Sequence, residues 1–145
     1  MRIDIQIDDQ LSPSVRRFLG APLADGRRTA VESTARDALA DTIRLNPVDT
    51  ARSRAAWVDA LERLGGTPPA GWQGPQGDGE AEGRAAATLV KDHDRDQSLV
   101  SATNAVGYVG FLEYGTSRSR AFAMVRRSLL LARERLLQRL RRIFR

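Results

Sequence analysis

Cysteine is absent from the 145-residue chain, which excludes disulfides and thiolate metal sites alike. Histidine and lysine occur once each, as His93 and Lys91. Aromatic residues make up only 6% of the chain, so the core is lean and neighbouring subunits are expected to supply part of the stability. No apolar run approaches the roughly 18–20 residues of a membrane span. Met1-Arg2-Ile3-Asp4 alternates charged with apolar residues and lacks the apolar stretch of a signal peptide. The length fits one compact domain over 1–145, expected to be made and used in a cytoplasm.

The same scarcities count against catalysis. A serine–histidine pair would have to use His93, and no glycine-flanked nucleophile turn of the G-x-S-x-G kind occurs. Gly77 to Gly83, GDGEAEG, is glycine-rich but acidic and lacks the lysine of a phosphate loop. Asp92-His93-Asp94-Arg95-Asp96 is the one cluster suggestive of metal chemistry, since on a strand Asp92, Asp94 and Asp96 would share a face and carboxylates suit calcium or magnesium. Yet no glycine makes the tight turn of a calcium loop, Arg95 lies inside the run, and His93 has no partner histidine. The cluster reads as a solvated connection. No enzyme, no cofactor and no metal are expected.

What the chain has in excess is arginine. Of 23 basic residues all but Lys91 are arginine, a bias that a GC-rich genome alone would favour. Position says more. From Arg118 to Arg145 the sequence holds ten arginines against Glu134 alone, a net +9, while residues 1–117 sum to −4.

Hydrophobic patterning divides the chain. Ile3, Ile5 and Ile7 alternate with Arg2, Asp4, Gln6 and Asp8, the period of a half-buried strand. Gln10 to Arg28 is interrupted by Pro13, Gly20, Pro22 and Gly26, leaving room for one helical turn over Ser14 to Leu19. Thr29 and Glu32 form a capping-box pair, after which Val31, Ala35, Ala38, Thr42 and Leu45 share a helical face that Asn46-Pro47 ends. Asp49 or Thr50 can cap a second helix bearing Trp57, Val58, Leu61 and Leu64, which Gly65-Gly66 stops. Residues 65–79 are a glycine- and proline-rich loop, and Glu80 opens a third helix running to about Val90. A strand follows over Ser98 to Thr103, then an apolar, aromatic stretch from Asn104 to a turn at Gly115. Last, Phe122, Val125, Leu129, Ala132, Leu136, Leu140 and Ile143 step by three or four residues along one stripe of a basic helix over about 121–144. Arg127, Arg135, Arg141 and Arg142 fall away from that stripe, whereas Arg133 falls within it and must snorkel or find an acid. The fold class predicted is α+β: a small antiparallel sheet packed by a long N-terminal helix and a long amphipathic C-terminal helix.

Two patches, taken together, resemble a known family. Pro47-Val48-Asp49-Thr50-Ala51-Arg52-Ser53-Arg54-Ala55-Ala56-Trp57 is similar to the stretch PVDTGRLR, two small residues and tryptophan that follows the first long helix in neck and tail-completion proteins of long-tailed bacteriophages. Thr103-Asn104-Ala105-Val106-Gly107-Tyr108, running on through Phe111-Leu112-Glu113-Tyr114-Gly115-Thr116-Ser117, resembles the same family's TN, tyrosine, LEYG and serine signature, which a basic amphipathic helix follows. Ala51 stands where the family usually has glycine, Ser53 where it has leucine, and Ala121-Phe122-Ala123 replaces a segment often containing proline.

The resemblance implies a structural virion protein of the head–tail junction: a homo-oligomeric ring, expected to be hexameric, that joins or seals tail to head and leaves a channel for DNA. Its other partners would be further phage neck and tail proteins. It also implies that Asp49, Thr50, Trp57, Asn104, Tyr108, Leu112, Glu113, Tyr114 and Gly115 are structural or interface residues. From the residues themselves, Gly115 permits the positive φ of a chain reversal, and Glu113 has Arg118, Arg120 or a neighbouring subunit's arginine to pair with. Arg118, Arg120, Arg126, Arg127, Arg135, Arg141, Arg142 and Arg145 are candidates for contact with adjacent rings or, without sequence reading, with DNA phosphates. The rival expectation is a small non-specific nucleic-acid-binding protein that uses this arginine-rich segment. An arginine-rich amphipathic helix could also lie on an anionic membrane, but nothing else in the chain supports a membrane partner.

Overall fold

The computed structural model describes residues 1–8, 13–47 and 51–143, with the backbone alone over 13–20. Along the chain run β1 (Arg2–Asp8), α1 (Pro13–Leu45), α2 (Arg52–Arg63), α3 (Glu80–Ala85), β2 (Ala87–His93), β3 (Gln97–Asn104), α4 (Val109–Tyr114) and α5 (Met124–Ile143). The strands form one antiparallel sheet in the order β1-β3-β2, with Ile5 opposite Val100 and Lys91 opposite Val100 from the other side. The architecture is the α+β arrangement expected.

Alternation decides which face of the sheet is covered. Ile3, Ile5, Val100 and Ala102 are buried towards the helices, and Arg2, Asp4, Gln6, Thr88 and Val90 are exposed on the other side. α2 packs on β2 and β3, α1 on β3 and β1, and α5 on α1. Trp57, Val58 and Leu61 of α2 join Val31, Ala35, Ala38, Leu39 and Ile43 of α1 in one core, closed by Met124, Val125 and Ala132 of α5.

α1 and α5 run antiparallel. Thr42 and Ser128 hydroxyls share a buried hydrogen bond of 2.6 Å, Arg135 donates to Asp41 at 2.5 Å, Arg139 donates to Asp37 at 2.5 Å and to Thr34 at 2.8 Å, and Gly26 faces Ile143.

α1 departs from the pattern the sequence suggested. It does not begin at Thr29, and Pro22 and Gly26 lie inside it rather than in a broken connection. An interior proline removes one hydrogen bond and crowds the preceding turn, at about 3 kcal/mol. Packing from both sides opposes that cost. Ile143 lies against Gly26, where an added Cβ would come within 3.2 Å of it. Arg27, 3% exposed, donates to the carbonyls of Asp94 at 3.1 Å and Arg95 at 2.9 Å. A solvent-facing arginine could not tie the helix to the β2–β3 turn in this way.

The third helix is also shorter than expected. It stops at Ala85, and Ala87 onwards pairs with β3 as an unforeseen strand. Alanines favour helix locally, but Thr88, Leu89 and Val90 fit a pleated surface with a partner already in place. Gly83 packs so closely on α2 that a Cβ there would fall 2.0 Å from the Arg52 carbonyl oxygen. The run Asp92 to Asp96 divides between the end of β2 and the hairpin turn. His93 Nε2 lies 3.1 Å from Glu32 Oε1. Burial opposes the Glu32 carboxylate, but Arg28, Lys91 and His93 outweigh it and hold its pKa below the usual value.

The 65–79 segment has neither helix nor strand, as expected, yet it is anchored. Trp72 is buried, its carbonyl accepts from Arg54 at 3.1 Å, and the Arg84 guanidinium lies 5.5 Å from its ring centre. α2 is preceded by Ala51, which has no side-chain cap and adopts φ 64°. Asp49 and Thr50, the expected caps, lie outside the described residues.

Ala51 occupies a left-handed conformation that costs a side-chain-bearing residue about 1–2 kcal/mol, and its own buried methyl returns part of that. Ala51→Gly is therefore expected to stabilise the chain by up to about 1 kcal/mol in chemical denaturation, and a destabilised variant would refute the strain. At the hairpin, Asp94 Oδ1 accepts the backbone N–H of Asp96 at 2.7 Å and of Gln97 at 2.6 Å, which lowers its pKa below the ordinary value. A depressed carboxyl contributes stability above the unfolded value of about 3.9 and loses it as pH falls through the folded value. Wild type and Asp94→Asn should thus differ near neutrality and converge in acid; a difference independent of pH would exclude this origin.

Candidate functional site

The two sequence patches meet in the structure. Asn46 Nδ2 donates to Ser53 Oγ at 2.9 Å, and Asn104 Nδ2 donates to the Ser53 carbonyl at 3.0 Å, all three residues being buried. Asn104 Oδ1 in turn accepts the Val106 N–H at 3.0 Å. One polar node therefore ties the end of α1, the start of α2 and the end of β3. Trp57 lies in the adjacent core, fully buried. Ser53 was not among the expected residues. Its only sequence signal is a serine where a helix near its start would otherwise offer an apolar side chain.

The second patch is organised by Glu113. Its side chain is 1% exposed although it is an acid in a six-residue helix, α4. Glu113 Oε2 accepts the N–H of Val125 at 2.9 Å, and Oε1 accepts the N–H of Arg126 at 3.1 Å and its Nε at 3.0 Å. Arg126 also donates to the Glu113 carbonyl at 3.0 Å. The carboxylate thus serves the start of α5, where N–H groups have no partner within the helix, and its negative charge meets the positive end of the helix dipole. Arg126, rather than the expected Arg118 or Arg120, is its ion-pair partner. The reason is distance along the chain: the reversal at Gly115 carries Arg118 and Arg120 outward and returns the backbone at Ala123, whose N–H donates to the Glu113 carbonyl. Gly115 has φ 78°, and a Cβ there would lie 2.7 Å from the Ala121 nitrogen, so the reversal requires glycine.

Outside this cap lies an open surface. Phe111 is 63% exposed, Tyr114 67% and Leu130 67%. The Arg126 guanidinium stacks 5.1 Å from the Tyr114 ring centre. Leu112 and Tyr108 are half-buried beneath it. Phe122, expected on the α5 stripe, precedes the helix and is about one-third exposed, at 36%.

The C-terminal arginines divide into two groups. Arg126 and Arg135 are held within the chain, by Glu113 and Asp41, as is Arg139 by Asp37. Arg118, Arg120, Arg127, Arg133, Arg141 and Arg142 have no acidic partner among the described residues, and each is exposed. Arg118 and Arg120 project from an ordered turn in which Thr116 Oγ1 accepts the N–H groups of Arg118 and Ser119. Arg145 lies outside the described residues. The sequence held a signal for the first group: Asp37 and Asp41 are spaced by four, as are Arg135 and Arg139, and antiparallel helices align such pairs.

Compared with family models, with curated proteins and with solved structures, the chain finds no match in any of the three. The resemblance to phage neck proteins therefore rests on the two patches alone.

Glu113→Ala should cost about 3–5 kcal/mol, because it strips the α5 terminus and leaves its N–H groups buried without an acceptor. Arg126→Ala, at a half-exposed position, should cost no more than about 1 kcal/mol. Equal losses in urea denaturation would show that the ion pair, and not the cap, is what matters.

Proposed function

We propose that the protein is a structural component of a long-tailed phage virion. It works at the head–tail junction within a hexameric ring that joins or seals the tail to the head and leaves a channel for DNA. The observation that carries this reading is the exposed surface of α4 and α5, where Phe111, Tyr114 and Leu130 stand open on elements that also carry Arg127 and Arg133, arginines with no acidic partner among the described residues. Contiguous exposed apolar side chains mark protein-binding surfaces, and tyrosine and arginine are the residues that most often anchor them. The patch that forms this surface is the one whose sequence resembles the neck family. On this reading the chain assembles in the host cytoplasm and resides in the virion. Its mechanism is geometric, consisting of shape fit and charge pairing between neighbouring subunits and stacked rings, with no bond chemistry.

One observation favours the rival reading, a non-specific nucleic-acid-binding protein. Arg118, Arg120, Arg127, Arg141 and Arg142 are available to phosphates at no cost in internal ion pairs. Five phosphate contacts would give a log–log salt dependence with a slope of about −4.5.

The test is native mass together with particle fractionation of the full chain. A mass that is a multiple of the 16.0 kDa subunit, and co-sedimentation with phage tails or necks, are expected. Phe111→Asp with Leu130→Asp should abolish both while leaving the melting temperature within a few degrees, since both side chains are already in water. A monomer that ignores tails and binds DNA with the steep salt dependence above would replace the structural reading with the nucleic-acid one.

A further inference from the structure

Among the described residues β1 leaves one edge of the sheet open, and the backbone bonding identifies which groups face outward. Met1 and Asn104 exchange both backbone hydrogen bonds, at 2.9 and 3.1 Å. In an antiparallel ladder such pairs alternate, so Ile3, Ile5 and Ile7 bond to β3 while the N–H and C=O groups of Arg2, Asp4, Gln6 and Asp8 point away from it. None of those outward groups has a partner among the described residues.

The helix layer extends past this edge. Packed helices lie about 8–10 Å apart and strands about 4.8 Å apart. α2 sits on β2 and β3, α1 on β3 and β1, and α5 on the far side of α1. α5 therefore has no strand of its own beneath it. Between its underside and β1 runs a groove of about 200 Å³, with Ile5 and Gln6 on the strand side and Leu129, Ala132, Arg133 and Leu136 on the helix side. Leu129 and Leu136 are half-buried, and Arg133 has no acidic partner among the described residues. Asp4, at the same groove, is already paired with Arg2 at 2.8 Å.

We propose that this groove receives an extended peptide segment of another protein as a fourth strand on β1. Its alternate apolar side chains would lie beneath Leu129 and Leu136, and an acidic side chain would meet Arg133. A row of unpaired backbone groups is complemented by another backbone, and the cation left over in the groove sets the charge. A second copy pairing edge to edge in the antiparallel sense would bring its own helix layer onto the same face, where α5 already occupies the space. A single strand without covering helices is what fits.

The test titrates isotopically labelled full chain with a synthetic peptide, Thr-Val-Thr-Asp-Thr-Val-Thr, whose two valines and intervening aspartate share one strand face, and with its lysine-for-aspartate counterpart. Amide shifts are expected at Arg2, Asp4, Gln6 and Asp8 and around Arg133, saturating near or below about 1 mM, with the acidic peptide favoured about tenfold. Arg133→Glu should reverse that preference. Gln6→Pro removes only an outward N–H, so the ladder to β3 stays whole and binding should fall about tenfold or more. The proposal is overturned by an absence of shifts with either peptide, by shifts confined to other surfaces, or by a charge preference that Arg133→Glu leaves unchanged. A dimer that forms without peptide and is lost in Gln6→Pro would also overturn it, by assigning the edge to a second copy.

Discussion

The buried carboxylate of Glu113 sets the geometry of the C-terminal third of the molecule. Enclosing an ionised acid costs several kcal/mol unless nearly every lone pair is matched, and here two backbone N–H groups and one guanidinium N–H match it. Because those N–H groups belong to the first turn of α5, the acid fixes where that helix begins and how it leaves α4. The reversal through Gly115 and the left-handed Ala123 follow from that requirement, since a chain leaving α4 must return within nine residues to present Val125 and Arg126 to the same carboxylate. Exposure of Phe111 and Tyr114 is the other side of the same constraint. A short helix that turns its acid inward turns its next aromatic neighbours outward.

A second constraint acts at the other end of the core. Ser53 accepts through both its hydroxyl and its carbonyl, from Asn46 and Asn104, so α1, α2 and β3 share one buried polar junction. Leucine at position 53 would supply apolar area but leave the Asn46 amide without that acceptor, which gives a physical reason for serine there. The strained Ala51 two residues earlier belongs to the same corner. Its left-handed backbone is what brings Ser53 into reach after the chain leaves α1, and glycine at that position would serve the turn at lower cost.

How much of this was legible depended on whether the deciding interaction was local. The period-2 run of Ile3, Ile5 and Ile7, the stripe from Val125 to Ile143, the stop at Asn46-Pro47 and the Gly65-Gly66 terminus are set by neighbours in sequence, and each lies where the pattern puts it. Pro22 and Gly26 misled because their cost is local and the packing that offsets it is not: Ile143 and the Asp94–Arg95 carbonyls lie far away along the chain. β2 was missed for the same reason, because the alanine run leading into it, Ala85 to Ala87, looks helical until β3 is available to pair. Of the candidate site, the Gly115 turn was readable from residue type. The role of Glu113 was legible only in outline: an acid near arginines suggests a pair, but not that the nearest arginines are the wrong ones.

The arrangement of arginines along α5 follows from which neighbour each flank of the helix meets. At 3.6 residues per turn, Arg135 and Arg139 fall on the flank facing α1, where Asp41 and Asp37 neutralise them. Arg126, Arg133 and Arg141, with Leu130 and Leu137 between them, fall on the opposite flank, near Glu134; among the described residues Glu113 pairs with Arg126 and no acid pairs with the other two. Had solubility been the only requirement, mixed charges would have served, and interleaved leucines would have weakened it. The result is a flank on which exposed Leu130 and Leu137 alternate with arginines that are only partly neutralised within the chain. Net charge alone does not show this division between the two flanks; the distribution of ion-pair partners does.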